Sequence, residues 1–495
     1  MSSNEEKGVS RRGFLQTTAI AALGVAAGSL GQSIGSTTTN IAHASGRIPV
    51  VETDVVVVGT GIAGCSAALK ARQLGAKVVQ IDKRPRTEFG GNSWAAGGGF
   101  ACPPDSGEGY ARYLAVLKKK TRNRCREEMI EPYKRARELV GWMKEQGVQF
   151  LDPIETPFAI MYTGVPQMYH CMPNVLTAMM NKIESSGINL MWETKLHSLI
   201  VNEQNHVAGI RVSDSSGLKE IHASKGVILA SGGYTANKQW LQGFVDKDAD
   251  QLVVRSGRPW ETGDGIKACL DIGSMLITVG GMESIHIAGV HPKDMAAANV
   301  FSDTFVTLNN KGERFVDEGQ GYVWNGKAIM KQPGQEACEI FDQHIYDTSG
   351  KGTVGLMKTS QIEIFKADTI EELCAQFGYP GDKARKTIDE FNAAVDTEHH
   401  TALGAAVPKS ASAVKIDQPP FYAIYPAKPG FTQTFGGLPC NPQAQVLEAD
   451  GTPIAGLYAA GEIMGGFFYD DYLGGASLVR GLVYGVTAAE NSVKG

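Results

Sequence analysis

The sequence predicts an α/β fold built around a dinucleotide cradle, on three observations. The first is Asp54 to Gly64, DVVVVGTGIAG. Val55 to Val58 form an unbroken apolar run, the pattern of a strand buried on both faces. Gly59, Gly61 and Gly64 follow at G-x-G-x-x-G spacing. The second is the continuation: a helix-prone run, Cys65 to Leu74, then an apolar strand, Lys77 to Ile81, ending in Asp82. The third is an interruption. Glycine-rich motifs recur up to about residue 265, stop from about Met282 to Phe431, and return before the end of the chain.

Strand, turn, helix, strand and acid together are more specific than the glycines alone. The glycines serve the tight turn, the approach of a pyrophosphate and the packing of helix on strand. The pyrophosphate sits on the N–H groups that open the helix, Ile62 and Ala63 among them. Asp82, 18 residues after Gly64, is placed to accept from a ribose hydroxyl.

The chain has 495 residues, enough for more than one domain, and a net charge of −5. It carries no long basic tract, so nothing predicts a nucleic-acid partner. Its eight cysteines are scattered without a C-x-x-C, which argues against structural zinc, iron–sulfur clusters and haem attachment, and no metal site is predicted.

The first 44 residues read as an address. Ser10-Arg11-Arg12-Gly13-Phe14-Leu15 is a twin-arginine pattern, Thr17 to Ala27 is apolar, and Ala42-His43-Ala44 offers a cleavage site before Ser45. The apolar run is too short for a stable membrane span. Export to the periplasm as a folded protein is the expectation, with a mature chain from about Ser45.

Gly90 to Ala101, GGNSWAAGGGFA, is a second glycine loop just after the second strand. At this loop the chain resembles the flavoprotein subunit family of succinate dehydrogenases and fumarate reductases. The similarity is to its soluble single-chain branch, which also holds 3-ketosteroid dehydrogenases, urocanate reductases and tricarballylate dehydrogenases. The resemblance implies a Rossmann-like FAD-binding domain of GR2 type, with an inserted α+β capping domain. It places the FAD-binding domain at 45–283 and 432–495 and the substrate cap at 284–431. Some members bond flavin covalently to a histidine in this loop. Asn92 stands at that place, so non-covalent FAD is implied, held by Gly91, Asn92, Ser93, Ala96, Gly97 and Gly98.

The remaining motifs follow in order. Tyr110 to Gly147 is a charged, helix-periodic segment read as surface, and Asn174 to Ser186 an amphipathic helix. Leu196 to Ile200 and Val207 to Val212 read as a small antiparallel insertion. By resemblance Leu196 passes the adenine, Lys83 follows the ribose acid, and Ala230 and Gly232, in GVILASGG, close over the cofactor. Thr262-Gly263-Asp264-Gly265 opens a helix, and Asp264 is implied to contact the ribityl chain. Gly312-Glu313-Arg314-Phe315-Val316-Asp317-Glu318 and Lys366-Ala367-Asp368-Thr369 match motifs of the cap, with Asp368 or Thr369 capping a helix. Gly437 belongs to a late T-x-G-G-like turn, Glu462 is implied to bind ribityl hydroxyls, and Ser477 and Leu478 to meet the flavin's pyrimidine edge.

The family pattern breaks where dicarboxylates are gripped. Tyr322 stands for the proton-delivering arginine, Tyr472 for the carboxylate-clamping arginine and Thr432 for a histidine. His286 is a loose counterpart of the remaining histidine, with His291 competing. A phenol cannot replace a bidentate arginine, so fumarate and succinate are not expected substrates. Phe467, Phe468, Tyr469 and Tyr472 crowd one loop, with Phe431, Phe435, Trp324 and Tyr322 expected from the cap side. Either they pack an interface or they line a pocket for an apolar or aromatic-bearing substrate with one polar handle. A tyrosine handles a proton when neighbours lower its pKa, and Tyr322, Tyr472, Tyr469 and His286 are the candidates. The expected reaction is hydride exchange between flavin N5 and a carbon–carbon single or double bond, in either direction. The expected electron partner is an external c-type cytochrome or a quinone-linked protein. The alternatives are an oxygen-using flavin oxidase or hydroxylase and a non-catalytic electron-transfer flavoprotein.

Overall fold

The computed structural model describes residues 48–494, apart from 169–170, 250–251, 255–258, 289–297, 300–302 and 360–361. The predicted leader and His291 lie outside the described residues. Val50–Val58 is the first strand, β1. It runs into α1, Ile62–Gln73, and then β2, Val78–Ile81. β1 pairs in parallel with β2, Val55 opposite Val78, and on its other side with β3, Gly217–Leu229. Val55, Val56 and Val57 are fully buried between the layers, as a two-faced strand requires. Beyond β2 the sheet adds Asn189–Met191, and beyond β3 it adds Pro453–Ala459 and Gln445–Leu447. The predicted insertion is an antiparallel pair, Lys195–Val201 and Val207–Asp214, joined to β3.

The turn after β1 works by exclusion of side chains. Gly59 has φ +111°, and a Cβ there would overlap the carbonyl oxygen of Ala230. A Cβ on Gly64 would overlap the carbonyl oxygen of Gly59, so this glycine sets the helix on the turn.

A second sheet lies around a 14-residue strand. Its members include β4, Met282–Ala288, and that long strand, β5, Phe421–Thr434. They pair antiparallel, with Met282 opposite Thr434 and Glu283 opposite Gln433. β5 also pairs with Ala337–Asp342 and Ile364–Ala367. Its start, Phe421 to Ile424, joins a hydrophobic cluster with Phe305, Phe341 and Phe391, while Phe431 joins the larger cluster around β1. The boundaries expected at 283 and 431 therefore fall inside two paired strands.

Two cap motifs prove to be internal fastenings. Arg314 pairs with Glu318 at 2.6 Å, both buried, and Glu318 also accepts from the backbone of Thr307. Thr369, rather than Asp368, caps Ile370–Ala375 by accepting from the Glu372 N–H. The segment 110–147 is less exposed than its charge suggested. It forms Gly107–Lys120 and Ala136–Glu145, and buries Tyr113, Leu117, Tyr133 and Leu139. Lys120 reaches across to Asp471 at 2.9 Å.

The cap helix α2, Tyr322–Met330, begins at Tyr322. The chain closes with α3, Ala476–Lys494, which lies against α1. Among the described residues no helix is long and apolar enough to cross a membrane.

Candidate functional site

One cavity of about 380 Å³ runs from the β1 turn to the cap. Most residues singled out in the sequence line it. They are Gly59, Gly61, Ile62, Ala63, Asp82, Lys83, Gly91, Asn92, Ser93, Ala96, Gly97, Gly98, Leu196, Ala230, Gly232, Asp264, Glu462, Ser477 and Leu478, with Tyr322 and Tyr472 at one end. Gly64 and Gly437 are not among the lining residues. Gly64 is packed on Gly59, and Gly437 pairs with Ile277.

At the β1 end, Asp82 is committed to the protein. Its carboxylate accepts from the Thr60 N–H at 3.1 Å, the Thr60 hydroxyl at 2.5 Å and the Arg84 N–H at 2.9 Å. It holds the turn as well as facing the cavity. Lys83 is tied to Asp264 at 2.7 Å. Arg84 is buried, 3.6 Å from Glu261, and its Nε has no acceptor among the described residues.

In the middle, Asn92 does something the spacing did not announce. Its Nδ2 donates to Glu261 at 2.6 Å and to Glu462 at 2.9 Å, bridging two buried carboxyl groups. Thr235 donates to Glu261, and the Thr434 N–H to Glu462. Burial raises the pKa of both acids, and Glu261 adds to the rise at Glu462 by charge repulsion.

At the cap end the chemistry is polar. Tyr472 accepts from the N–H groups of Gly475 at 3.1 Å and Ser477 at 3.3 Å, at the start of α3. Tyr322 donates to Glu283 Oε1 at 3.3 Å. Glu283 Oε2 accepts from Thr432 and from Gln433 Nε2, both at 2.6 Å. The Gln433 oxygen accepts in turn from Ser477 and from Arg480. Arg480 is buried, lies against Phe467 and Phe468, and leaves its Nε without a partner. Burial first, then Glu283, raises the pKa of both tyrosines. The lowered phenol pKa anticipated for a proton-handling tyrosine is therefore not found. These are neutral phenols.

The other two candidates are Tyr469 and His286. Tyr469 lies under the Arg124 guanidinium, 4.9 Å away, and is not among the lining residues. His286 sits in β4 opposite Pro429, and the structure describes only its backbone. Phe467 stacks on Tyr133, Phe435 meets Phe468, and Trp324 lies between Arg122 and Lys327. Phe431, Phe435, Phe467 and Phe468 are buried in the core, and neither they nor the half-buried Trp324 is among the lining residues.

Sequence reasoning missed Arg84, Glu261, Glu283, Gln433 and Arg480. Arg480 had a signal, a lone arginine inside the apolar helix run Leu478 to Val486. Glu261, just before Thr262-Gly263-Asp264-Gly265, had a weaker one. Glu283 and Gln433 had none, because strand register brings them together across 150 residues.

The chain was compared with known proteins. It is 28% identical over 466 residues to a probable fumarate reductase, Ifc3, of Shewanella frigidimarina, covering 90% of this chain and 76% of that one. It is 28% identical to a vinyl phenol reductase of Lactiplantibacillus plantarum, covering 85% and 91%. Two further relatives are longer, and the chain spans about half their length. The open conformation of a flavocytochrome c3 fumarate reductase superposes with a TM-score of 0.73 at 26% identity, covering 100% of this chain and 82% of that one. The family model described as FAD binding domain matches residues 54–478, and this chain belongs to that family.

Proposed function

We propose that this chain is an exported FAD-dependent oxidoreductase acting on a carbon–carbon single or double bond. Its substrate is apolar or aromatic-bearing with one polar handle, and is neither fumarate nor succinate. The fit to FAD is supported by Arg84 and Arg480, each buried on the cavity wall with an Nε that has no acceptor among the described residues. Buried donors of this kind call for an anionic or carbonyl acceptor. Gly59, Asn92, Glu462 and Ser477 would hold the cofactor along its length, without a covalent bond. When bound, FAD supplies the two-electron chemistry, exchanging a hydride with one carbon of the substrate.

The observation that carries the reading is Tyr472. Two backbone N–H groups donate to its oxygen, so its own O–H is directed away from them. A buried phenol of raised pKa keeps its proton until a basic carbon forms beside it. The two N–H groups then stabilise the phenolate left behind. Tyr472 thus delivers the second hydrogen as a proton, and the favoured direction is reduction. Tyr322 and Thr432, at the other places where the family grips dicarboxylates, bear no positive charge. The names of the relatives, a vinyl phenol reductase beside fumarate reductases, agree with alkene reduction in general. The electron source is an outside carrier, a c-type cytochrome or a quinone-linked protein.

The test is anaerobic reoxidation of the chemically reduced flavin by a panel of alkenes. Tyr472→Phe is expected to keep its flavin and accept electrons from dithionite, but to lose alkene reduction by about 10²-fold or more, the scale of a general acid. Tyr322→Phe is expected to be milder. Fast reoxidation by fumarate, or an unimpaired Tyr472→Phe, would reject the reading.

A further inference from the structure

The cap-end network holds an acid, Glu283, beside Tyr322 and Thr432, where the family resemblance implies cationic side chains for a dicarboxylate. We propose that Glu283 determines the substrate class, accepting a hydrogen bond from a hydroxyl or phenol on a neutral substrate and turning carboxylates away. This rests on the reading of the cavity as a substrate site given above.

Glu283 is placed by pairing, not by a loop. It lies opposite Gln433 in the β4–β5 ladder, one step from the end of both strands at Met282 and Thr434. Thr432 and Gln433 on Oε2 and Tyr322 on Oε1 are among the side chains that orient its carboxylate. Such a group is preorganised as an acceptor at the cavity wall. A hydroxyl donates to it directly. A second carboxylate beside it would have to take up a proton first.

The described cation at this end does not restore a carboxylate clamp. Arg480 spends Nη2 on Gln433 at 3.0 Å and Nη1 on the Met464 carbonyl at 3.3 Å. Its guanidinium is sandwiched near Phe467 and Phe468, at 5.3 and 5.1 Å. Each Nη atom is therefore held by one bond to the protein, which fixes the guanidinium in place, and Nε is the atom left for an acceptor in the cavity. Gln433 connects the two, with its amide donating to Glu283 and its oxygen accepting from Arg480. The carboxylate and the guanidinium are thus locked into fixed and different roles.

The probes are 4-ethylphenol and 4-ethylbenzoate, which differ in the handle. Each is titrated into the oxidised, FAD-loaded protein, and binding is read from the perturbed flavin absorbance. The wild type is expected to bind the phenol about tenfold or more tightly than the benzoate, the scale of one hydrogen bond to a charged group. Glu283→Gln is expected to bring the two within about threefold, chiefly by admitting the benzoate, because the amide offers a donor. Glu283→Asp keeps a carboxylate acceptor at this place and is expected to keep the direction of the preference. Equal or tighter benzoate binding by the wild type overturns the proposal. So does an unchanged preference in Glu283→Gln, or no spectral change with either probe. If Glu283→Gln does not retain flavin, the wild-type and Glu283→Asp pair decides. Reoxidation of reduced flavin by 4-vinylphenol is read separately. Binding without reoxidation counts against the redox reading and leaves the specificity claim standing.

Discussion

Asn92 shows how one side chain can reconcile two that oppose each other. Glu261 and Glu462 are both buried in the same wall, and two adjacent carboxylates cannot both ionise there without mutual repulsion. The amide bridges them, while Arg84, Thr235 and the Thr434 N–H supply further positive or donating partners. In the unfolded chain both carboxyls titrate near the ordinary value of 4.5, whereas in the fold burial keeps a proton on to higher pH. The folded state therefore binds more protons, and stability declines as pH rises from the unfolded value through the raised one. The flavin-free protein is expected to lose Tm between about pH 5 and pH 8, and Glu462→Gln to flatten that slope by about 2 °C or more. Thermal unfolding followed across pH would show it, and parallel slopes for the two proteins would refute it.

At the level of elements, α3 does two jobs at its two ends. Its first turn carries the N–H groups that Tyr472 accepts from, and its middle is pressed onto α1. A Cβ on Gly485 would lie 2.5 Å from the Ala63 carbonyl oxygen, and one on Gly481 would lie 2.6 Å from Ile62 Cγ2. The first neighbour is backbone and cannot step aside; the second is a side-chain methyl, which gives way by a small shift of Ile62 against its stiff χ1. Alanine gains about 1 kcal/mol of helix propensity over glycine at either site. The overpacking penalty of about 1–3 kcal/mol outweighs that gain at Gly485. Gly485→Ala is thus expected to lower the denaturant midpoint and weaken flavin retention, with Gly481→Ala closer to wild type. An unaffected Gly485→Ala would show that α3 can shift away from α1.

For the whole molecule, the cavity is assembled from both ends of the chain and from the cap. The turn after β1, the loop at Asn92 and the start of α3 meet because β1, β3 and Pro453–Ala459 share one sheet. Lys120 to Asp471 and Lys327 to the Asp470 carbonyl hold the loop before Tyr472 against the helix Gly107–Lys120 and the cap helix α2. The proposed export belongs at this scale too, since a twin-arginine leader would carry a protein already folded. Replacing Arg11 and Arg12 by lysines is expected to leave the flavin-loaded protein in the cytoplasm, read by fractionation and flavin fluorescence; undiminished export would remove the leader reading. Much was legible in local pattern. The valine run, the glycine spacing, the Asn92 loop and the T-G-D-G helix each depend on residues close together in the chain. Their placement follows from backbone sterics and burial within one or two elements. What the tertiary structure decided lies at long sequence separation. Register set Glu283 against Gln433, packing turned the phenylalanines of 467 and 468 inward, and burial raised the phenols' pKa instead of lowering it. Sequence by itself determined a dinucleotide cradle and located two tyrosines where arginines would stand. Only the fold decided that those tyrosines are neutral phenols near a half-buried acid, Glu283, because desolvation and charge proximity are properties of neighbours in space.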